Sequence, residues 1–349
     1  MKTSLLHITT LFAICLLWSC KETGGMKVTA SGSIYEVLVV MDNNYWQHSS
    51  GDSVRAYMEA DMPCLPQVEP WFKVMQTAPQ FFDDALKSTR NILYIDINPS
   101  RYTQTKLTFH TDLYAHPQAF CKIQCPDNDS FLTFYPAHAA QIRRWFVQQE
   151  IDRQTVFYRN YQSNPAGYAV QRRFGSDIRI PSDYQLVRDT AYTLSDGQPI
   201  QLVWCVNNGG SMRRDLLIWS YPYTDPETFT EKYLLQRRDE IIGKNISGQI
   251  QGSFVGTEHK HIPPRFNAIN VHGTYCAEIR GLWKLYGGES MGGPFVEHTR
   301  LDELGQKIIT AEVMIFAPGQ KKRNALRQAE AILYTIQLPE ELMLKDKNQ

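Results

Sequence analysis

Hydrophobic positions divide this chain into a short apolar leader, a body of buried strands alternating with helices, and a second body of half-buried strands. Leu5 to Leu17 is a mostly apolar run behind Lys2, too short to cross about 30 Å of hydrocarbon as a stable helix. Ile34 to Met41 and Asn91 to Ile97 are nearly continuous apolar, β-branched runs, the pattern of strands covered on both faces. Between them the pattern predicts a helix over 50–61 that stops by Pro63, a strand at Phe72 to Met75, and a helix opened by Pro79 that runs through Leu86. Leu107, Phe109, Thr111 and Leu113 alternate with polar neighbours, so that strand has one wet face. Strand-like pieces follow at 120–124 and 131–134. Ile142, Trp145, Phe146, Val156 and Phe157 then recur at helical spacing and predict a helix over 138–159.

The polar stretch 161–167 reads as a linker. Beyond it Leu202, Trp204 and Val206 alternate up to Asn207-Asn208-Gly209-Gly210, a hairpin signal whose return strand runs Leu216 to Tyr221. Asp225-Pro226 caps a helix carrying Phe229, Tyr233, Leu234 and Ile241. Residues 243–274, rich in Gly, Pro and His, read as loop. Three strands are expected at 275–285, 295–301 and 308–316, then an amphipathic helix through Ala325, Leu326, Ala329, Ile332, Leu333 and Ile336. The expected fold class is α+β: an α/β domain over 34–160, then an antiparallel-sheet α+β domain over 170–340 with a closing C-terminal helix.

The leader changes the picture most. A positive start, an apolar run and a small residue, Ser19, before Cys20 resemble a bacterial lipobox. The resemblance implies a signal peptide over 1–19, acylation of Cys20 and attachment to a membrane through its acyl chains. An ordinary secretory signal with an accidental Cys, or an uncleaved anchor, is the alternative. Residues 20–33 read as a tether, which at about 3.4 Å per residue keeps the body within roughly 45 Å of the bilayer. Lys21 rather than Asp after the Cys favours the outer membrane, with either face open.

Lys and Arg balance Asp and Glu at 36 each, and loss of Lys2 with the leader leaves one net negative charge. That balance argues against a nucleic-acid partner. Aromatic residues at 12% suit a large core or a carbohydrate-facing surface. Cys64, Cys121, Cys125, Cys205 and Cys276 remain in the body. Five cannot all pair within one chain, so at least one thiol is free.

Candidate chemistry is sparse. Gly288-Glu289-Ser290-Met291-Gly292 fits the G-x-S-x-G nucleophile elbow, making Ser290 the candidate of a serine hydrolase, although the following segment begins a strand and only His298 follows. Glu258, His259 and His261, with His272 nearby, are weak metal-ligand candidates without a recognised spacing. Glu278, Arg280 and Lys284 share one strand face. They pair across strands, or they line a cleft with Trp283, Met291, Gly292 and Gly293 that takes an anion or a sugar. No cofactor motif is present.

Leu65-Pro66-Gln67-Val68-Glu69-Pro70, Arg90-Asn91-Ile92-Leu93, His116-Pro117-Gln118, Glu278-Ile279-Arg280-Gly281-Leu282-Trp283, Met291-Gly292-Gly293-Pro294-Phe295 and Ala329-Glu330-Ala331-Ile332-Leu333-Tyr334 together resemble the uncharacterised envelope lipoproteins of Bacteroidetes, which carry a domain of unknown function over nearly the whole mature length. That resemblance implies an envelope lipoprotein and supplies no catalytic residue. In that setting Lys21-Glu22 resembles part of a surface-export signal, and Ser53 and Thr190 sit in the short D-S/T-apolar motif of O-glycosylation. The expected function is a non-enzymatic binding or envelope-assembly component with a protein or glycan partner. A Ser290 hydrolase and a glycan-binding module are the alternatives.

Overall fold

The computed structural model describes residues 27–346, so the leader, Cys20 and most of the tether lie outside the described residues. The first unit contains β1 (Val28–Thr29), β2 (Glu36–Val40), α1 (Asn43–Trp46), α2 (Ser49–Met58), β3 (Lys73–Thr77), α3 (Asp84–Lys87), β4 (Asn91–Ile97), β5 (Lys106–Thr111), β6 (Ala115–His116), β7 (Ala119–Cys125) and α4 (Asn128–Asn160). Its main sheet runs β3-β2-β4-β7-β5; the first four strands are parallel and β5 is antiparallel to β7. Val37, Val39, Leu93, Ile95, Cys121 and Ile123 point to one face, where α2 and α4 cover them. A smaller cluster of Leu38, Val40, Ile92 and Phe120 lies on the other face.

Helix α4 begins ten residues before the predicted position. Asp127 caps it by accepting from the Ser130 N–H at 2.7 Å, and Pro136 lies inside it. The segment 131–134, read as strand because of its aromatics, is therefore helix. Phe131, Tyr135, Ala139, Ile142 and Phe146 form one buried stripe at spacings of three and four. At about 1.5 Å per residue the helix is about 50 Å long, enough to pack against both units. The expected 79–86 helix is broken instead into a 3₁₀ turn, Pro79–Phe81, and α3.

The second unit contains α5 (Asn164–Phe174), β8 (Gln185–Thr193), β9 (Pro199–Asn207), β10 (Arg213–Pro222), α6 (Glu231–Asn245), β11 (Phe254–Glu258), β12 (Arg265–Val271), β13 (Thr274–Tyr286), β14 (Gly292–Asp302), β15 (Lys307–Phe316), α7 (Arg323–Leu333) and α8 (Pro339–Asp346). An antiparallel sheet runs β11-β13-β14-β15-β10-β9-β8, with β12 beside the first half of β13. The chain is α+β. The stretch read as a linker is mostly α5, which Pro165 opens and Gly175, in the left-handed region at φ +69°, closes. The stretch 243–274 holds β11 and β12 rather than loop alone. Among the described residues no helix is long and apolar enough to cross a membrane.

Residues alternate between two cores on this sheet. Val203, Leu216, Ile218, Val296, Ile309 and Val313 face α5, α7 and the end of α4. Leu202, Leu217, Trp219, Ile279, Phe295 and Met314 face α6. Among the latter lie Glu297 and Glu312, opposite each other on β14 and β15 and both buried. Arg238 of α6 donates to Glu312 at 2.7 and 2.8 Å and stacks 3.7 Å over the Phe295 ring. That ring occupies the space a Cβ on Gly281 would need, 2.6 Å from its edge. One guanidinium cannot neutralise two facing carboxylates, and Glu297 keeps an oxygen without a partner among the described residues.

Burial, reinforced by the Glu312 charge, pushes the Glu297 carboxyl up to about 8. The unfolded chain ionises near the ordinary value of 4.5 while the folded chain holds its proton, so stability falls as pH rises from there to about 8 and then levels. Glu297→Gln is expected to lose part of that fall and to match or exceed wild type at about pH 8, read from urea unfolding midpoints. An unchanged pH slope would place the retained proton elsewhere.

Candidate functional site

The loop 59–72 joins the two units. Met62 and Leu65 leave the first unit and insert among the buried apolar residues of the second. The loop closes on itself through the Met62 N–H to Glu69 carbonyl bond, 2.8 Å, and the Trp71 N–H to Ala60 carbonyl bond, 2.9 Å. Cys64, at φ +59°, directs its thiol to the Arg280 carbonyl at 3.4 Å. Helix α7 has no side-chain cap of its own. Glu69 supplies one from the other unit: its carboxylate accepts from the Lys322 N–H at 2.6 Å and the Arg323 N–H at 3.1 Å. Arg323 returns a bond to the Pro70 carbonyl at 2.7 Å.

Between this loop, α4, β12, β13 and α7 lies a cleft of 440 Å³. Arg143 and Arg144 come from α4, Arg265 from β12, Arg280 from β13 and Arg327 from α7, against one acidic side chain, Glu278, on the same wall. Beneath them runs a buried chain of charge. Glu278 accepts from Arg280 at 2.7 and 2.9 Å; Arg280 also donates to Glu330, which accepts from Arg327 at 3.0 and 3.1 Å. Burial alone would raise the Glu278 carboxyl, but Arg280 and His298 outweigh it and hold it well below the usual carboxylate range. Glu330 is likewise lowered, burial being outweighed by Arg280 and Arg327. With Glu330 counted, five positive groups face two negative ones.

Arg327 is 2% exposed, and its guanidinium lies 4.5 Å from the Trp71 ring centroid. Among the described residues only its Nη1 is bonded; Nε and Nη2 are buried and without partners. Arg143 stacks over the same ring at 4.9 Å and donates to the Tyr57 carbonyl. Among the described residues Arg143, Arg144 and Arg265 have no acidic partner. Guanidinium forks arranged this way suit a carboxylate or phosphate.

Sequence reasoning reached Glu278 and Arg280, which do line the cleft. Trp283, Met291, Gly292 and Gly293 do not join them. An odd number of residues from Glu278 turns Trp283 to the α6 face, where its indole donates to the Ile315 carbonyl at 3.2 Å and Met291 packs beside it. A Cβ on Gly293 would strike that carbonyl and one on Gly292 the Trp283 carbonyl, which explains the glycine pair. Lys284 pairs with Glu258 at 2.6 Å rather than lining the cleft. The missed residues carry a faint signal at most: Arg143-Arg144 is a basic pair on a helix, and nothing local ties it to Arg265 or Arg327.

Ser290 is exposed in the turn between β13 and β14, not between a strand and a helix. His298 lies eight residues beyond it, in β14, about 26 Å away in extended chain and buried beside Glu278. That geometry is not a nucleophile elbow. Glu258 accepts from Lys284 and from the Lys260 and His261 N–H groups, which bring it down to about 2. His259 faces Asp239 at 3.7 Å and His272 pairs with Glu341, so the metal candidates point to different partners. Among the described residues no group of three metal-ligating side chains converges. Ser53 is half-buried in α2, and Thr190 is half-buried in β8 beside Asp189, which pairs with Arg172 and Arg173. All five body cysteines are buried and unpaired; burial pushes the Cys205 and Cys276 thiols up to about 12, leaving them unreactive.

Two family models match this architecture. A domain of unknown function, DUF8532, matches residues 30–159, and another, DUF4837, matches residues 163–335. The resemblance implied one domain of unknown function over nearly the whole body; two cover it instead, and their boundary falls between α4 and α5. No curated protein matches the chain.

Because Glu69 holds two helix-end N–H groups across the boundary, Glu69→Ala is expected to lower unfolding stability by roughly 1–3 kcal/mol, with Glu69→Gln in between. Equal urea midpoints for all three proteins would show that the two units do not depend on this cap.

Proposed function

We propose that this protein is a lipid-anchored envelope protein whose body binds an anionic ligand in the cleft between its two units, without catalysing a reaction. The observation that carries the binding reading is Arg327: a buried guanidinium with two unsatisfied nitrogens beside three arginines that lack acidic partners. Leaving such donors empty is costly, and a carboxylate or phosphate group would satisfy them. A cleft at a domain boundary, with an aromatic floor in Trp71 and convergent polar groups, is a usual setting for a ligand. The anchor reading rests on the order of Lys2, the apolar run, Ser19 and Cys20, which favours the outer membrane.

Thermal unfolding at low salt in the presence of pyrophosphate or succinate tests the binding. At least one is expected to raise the melting temperature, since a ligand selective for the folded state stabilises it. The exposed pair Arg144→Ala and Arg265→Ala is expected to weaken binding by about 10-fold or more, in line with charge-assisted bonds of about 1.5–3 kcal/mol. Preference for one ligand distinguishes phosphate from carboxylate. No shift with either, at concentrations of about 10 mM, would contradict the reading.

The anchor is tested separately by labelling cells with an alkyne fatty acid. The wild type is expected to take the label and fractionate with the outer membrane, and Cys20→Ala to lose both properties. An unlabelled, soluble wild type would overturn the anchor and leave the cleft untouched.

A further inference from the structure

A second hollow, of 310 Å³, opens where the end of α4 meets residues 181–184 and the β9–β10 hairpin. Its rim is aromatic. Phe157 and Tyr161 are 52% and 55% exposed, one helical turn apart, with ring centroids separated by 4.8 Å. Its wall is polar and unsatisfied. Tyr184 is only 4% exposed, and its hydroxyl is buried without a partner among the described residues. Arg214 is half-buried, and its guanidinium has neither hydrogen bond nor ion pair among the described residues. Asp183 accepts from Asn207 at 2.5 Å and stays at the surface. The Tyr158 hydroxyl on the same wall donates to the Gln328 carbonyl at 2.7 Å.

We infer that this hollow is a saccharide-binding site. A sugar presents a flat C–H face suited to stacking on an aromatic ring, and hydroxyls that donate and accept at once. Asp183 offers an acceptor, Arg214 donors, and the Tyr184 hydroxyl either. A simple anion would meet Arg214 but also the Asp183 carboxylate, and would leave the aromatic rim bare. An apolar ligand would cover the rim and leave Tyr184 and Arg214 unsatisfied. On the far side of Phe157 lies a further hollow of 320 Å³ that shares Gln154, Phe157 and Gln328 and adds Arg90 and Arg153. Phe157 is therefore a ridge between two depressions, so the ligand is a chain of at least two units lying across the ring.

Isothermal titration with glucose, cellobiose, N-acetylglucosamine and its β-1,4-linked dimer tests the site. At least one disaccharide is expected to bind about 10-fold or more tighter than its monosaccharide, a difference of about 1.4 kcal/mol. Phe157→Ala and Arg214→Met are each expected to lose that binding by a similar factor, and both replace side chains that are not fully buried, so folding survives. The Arg144→Ala and Arg265→Ala protein should keep it, which separates this site from the cleft. The inference falls if none of the four sugars binds at about 10 mM. It falls equally if binding is unchanged in both variants, or if Arg214→Met abolishes phosphate binding while no sugar binds.

Discussion

Glu330 is completely buried between two domains, and the arrangement around it follows from keeping that carboxylate ionised. Removing a charge from water costs several kcal/mol, so it persists only with close partners of opposite sign. Arg280 comes from β13 and Arg327 from the preceding turn of the same helix, and both are committed to it. Arg280 must in turn be flanked by Glu278. The row of charges aligns β13 with α7, and the Glu69 carboxylate fixes where α7 starts. What remains after these pairings is a positive excess on the cleft wall. Only one nitrogen of Arg327 is spent on Glu330, and the surplus donors of that arginine give the cleft its preference for negative charge.

The same sheet manages a second buried charge on its opposite face by different means. There the single guanidinium bonds Glu312 and leaves the facing Glu297 without an arginine, and the imbalance is met by retaining a proton rather than recruiting a second arginine. Strand alternation separates the two solutions: Glu278 and Arg280 face α7, whereas Ile279 and Trp283 face the core beneath α6. The charged ladder can therefore offer donors to a ligand while the other stays sealed within apolar packing.

Fully buried strands were the most legible part of the chain. Asn91–Ile97 reads directly from its apolar run, because burial on both faces leaves few polar positions. Edge strands were hidden for the opposite reason. In β8 and β12 exposed polar residues interrupt the alternation, and β12 lies in a stretch whose Gly, Pro and His suggest a loop. Pro136 and the aromatics before it disguised the first turns of α4, which tertiary packing of one apolar stripe holds helical. The site was half legible. Glu278 and Arg280 share a strand face by simple alternation, but the other four cleft arginines gain meaning only when α4, β12 and α7 meet. The motif Leu65 to Pro70 stands out in the sequence, yet its task, bridging two units and capping a helix more than 250 residues away, depends wholly on tertiary structure.

Anion binding in the cleft requires Arg327 to turn its free nitrogens toward the bound group. Nitrogen-15 labelling of the arginines and observation of their Nε–H resonances, assigned by single Arg→Lys changes, addresses this directly. The account predicts that the Arg327 Nε–H signal shifts and gains protection from solvent exchange as pyrophosphate or succinate is added, together with Arg143, Arg144 or Arg265. If an anion binds and the Arg327 resonance stays unmoved while Arg214 or another arginine outside the cleft responds, the cleft is not the binding site and the central claim is wrong.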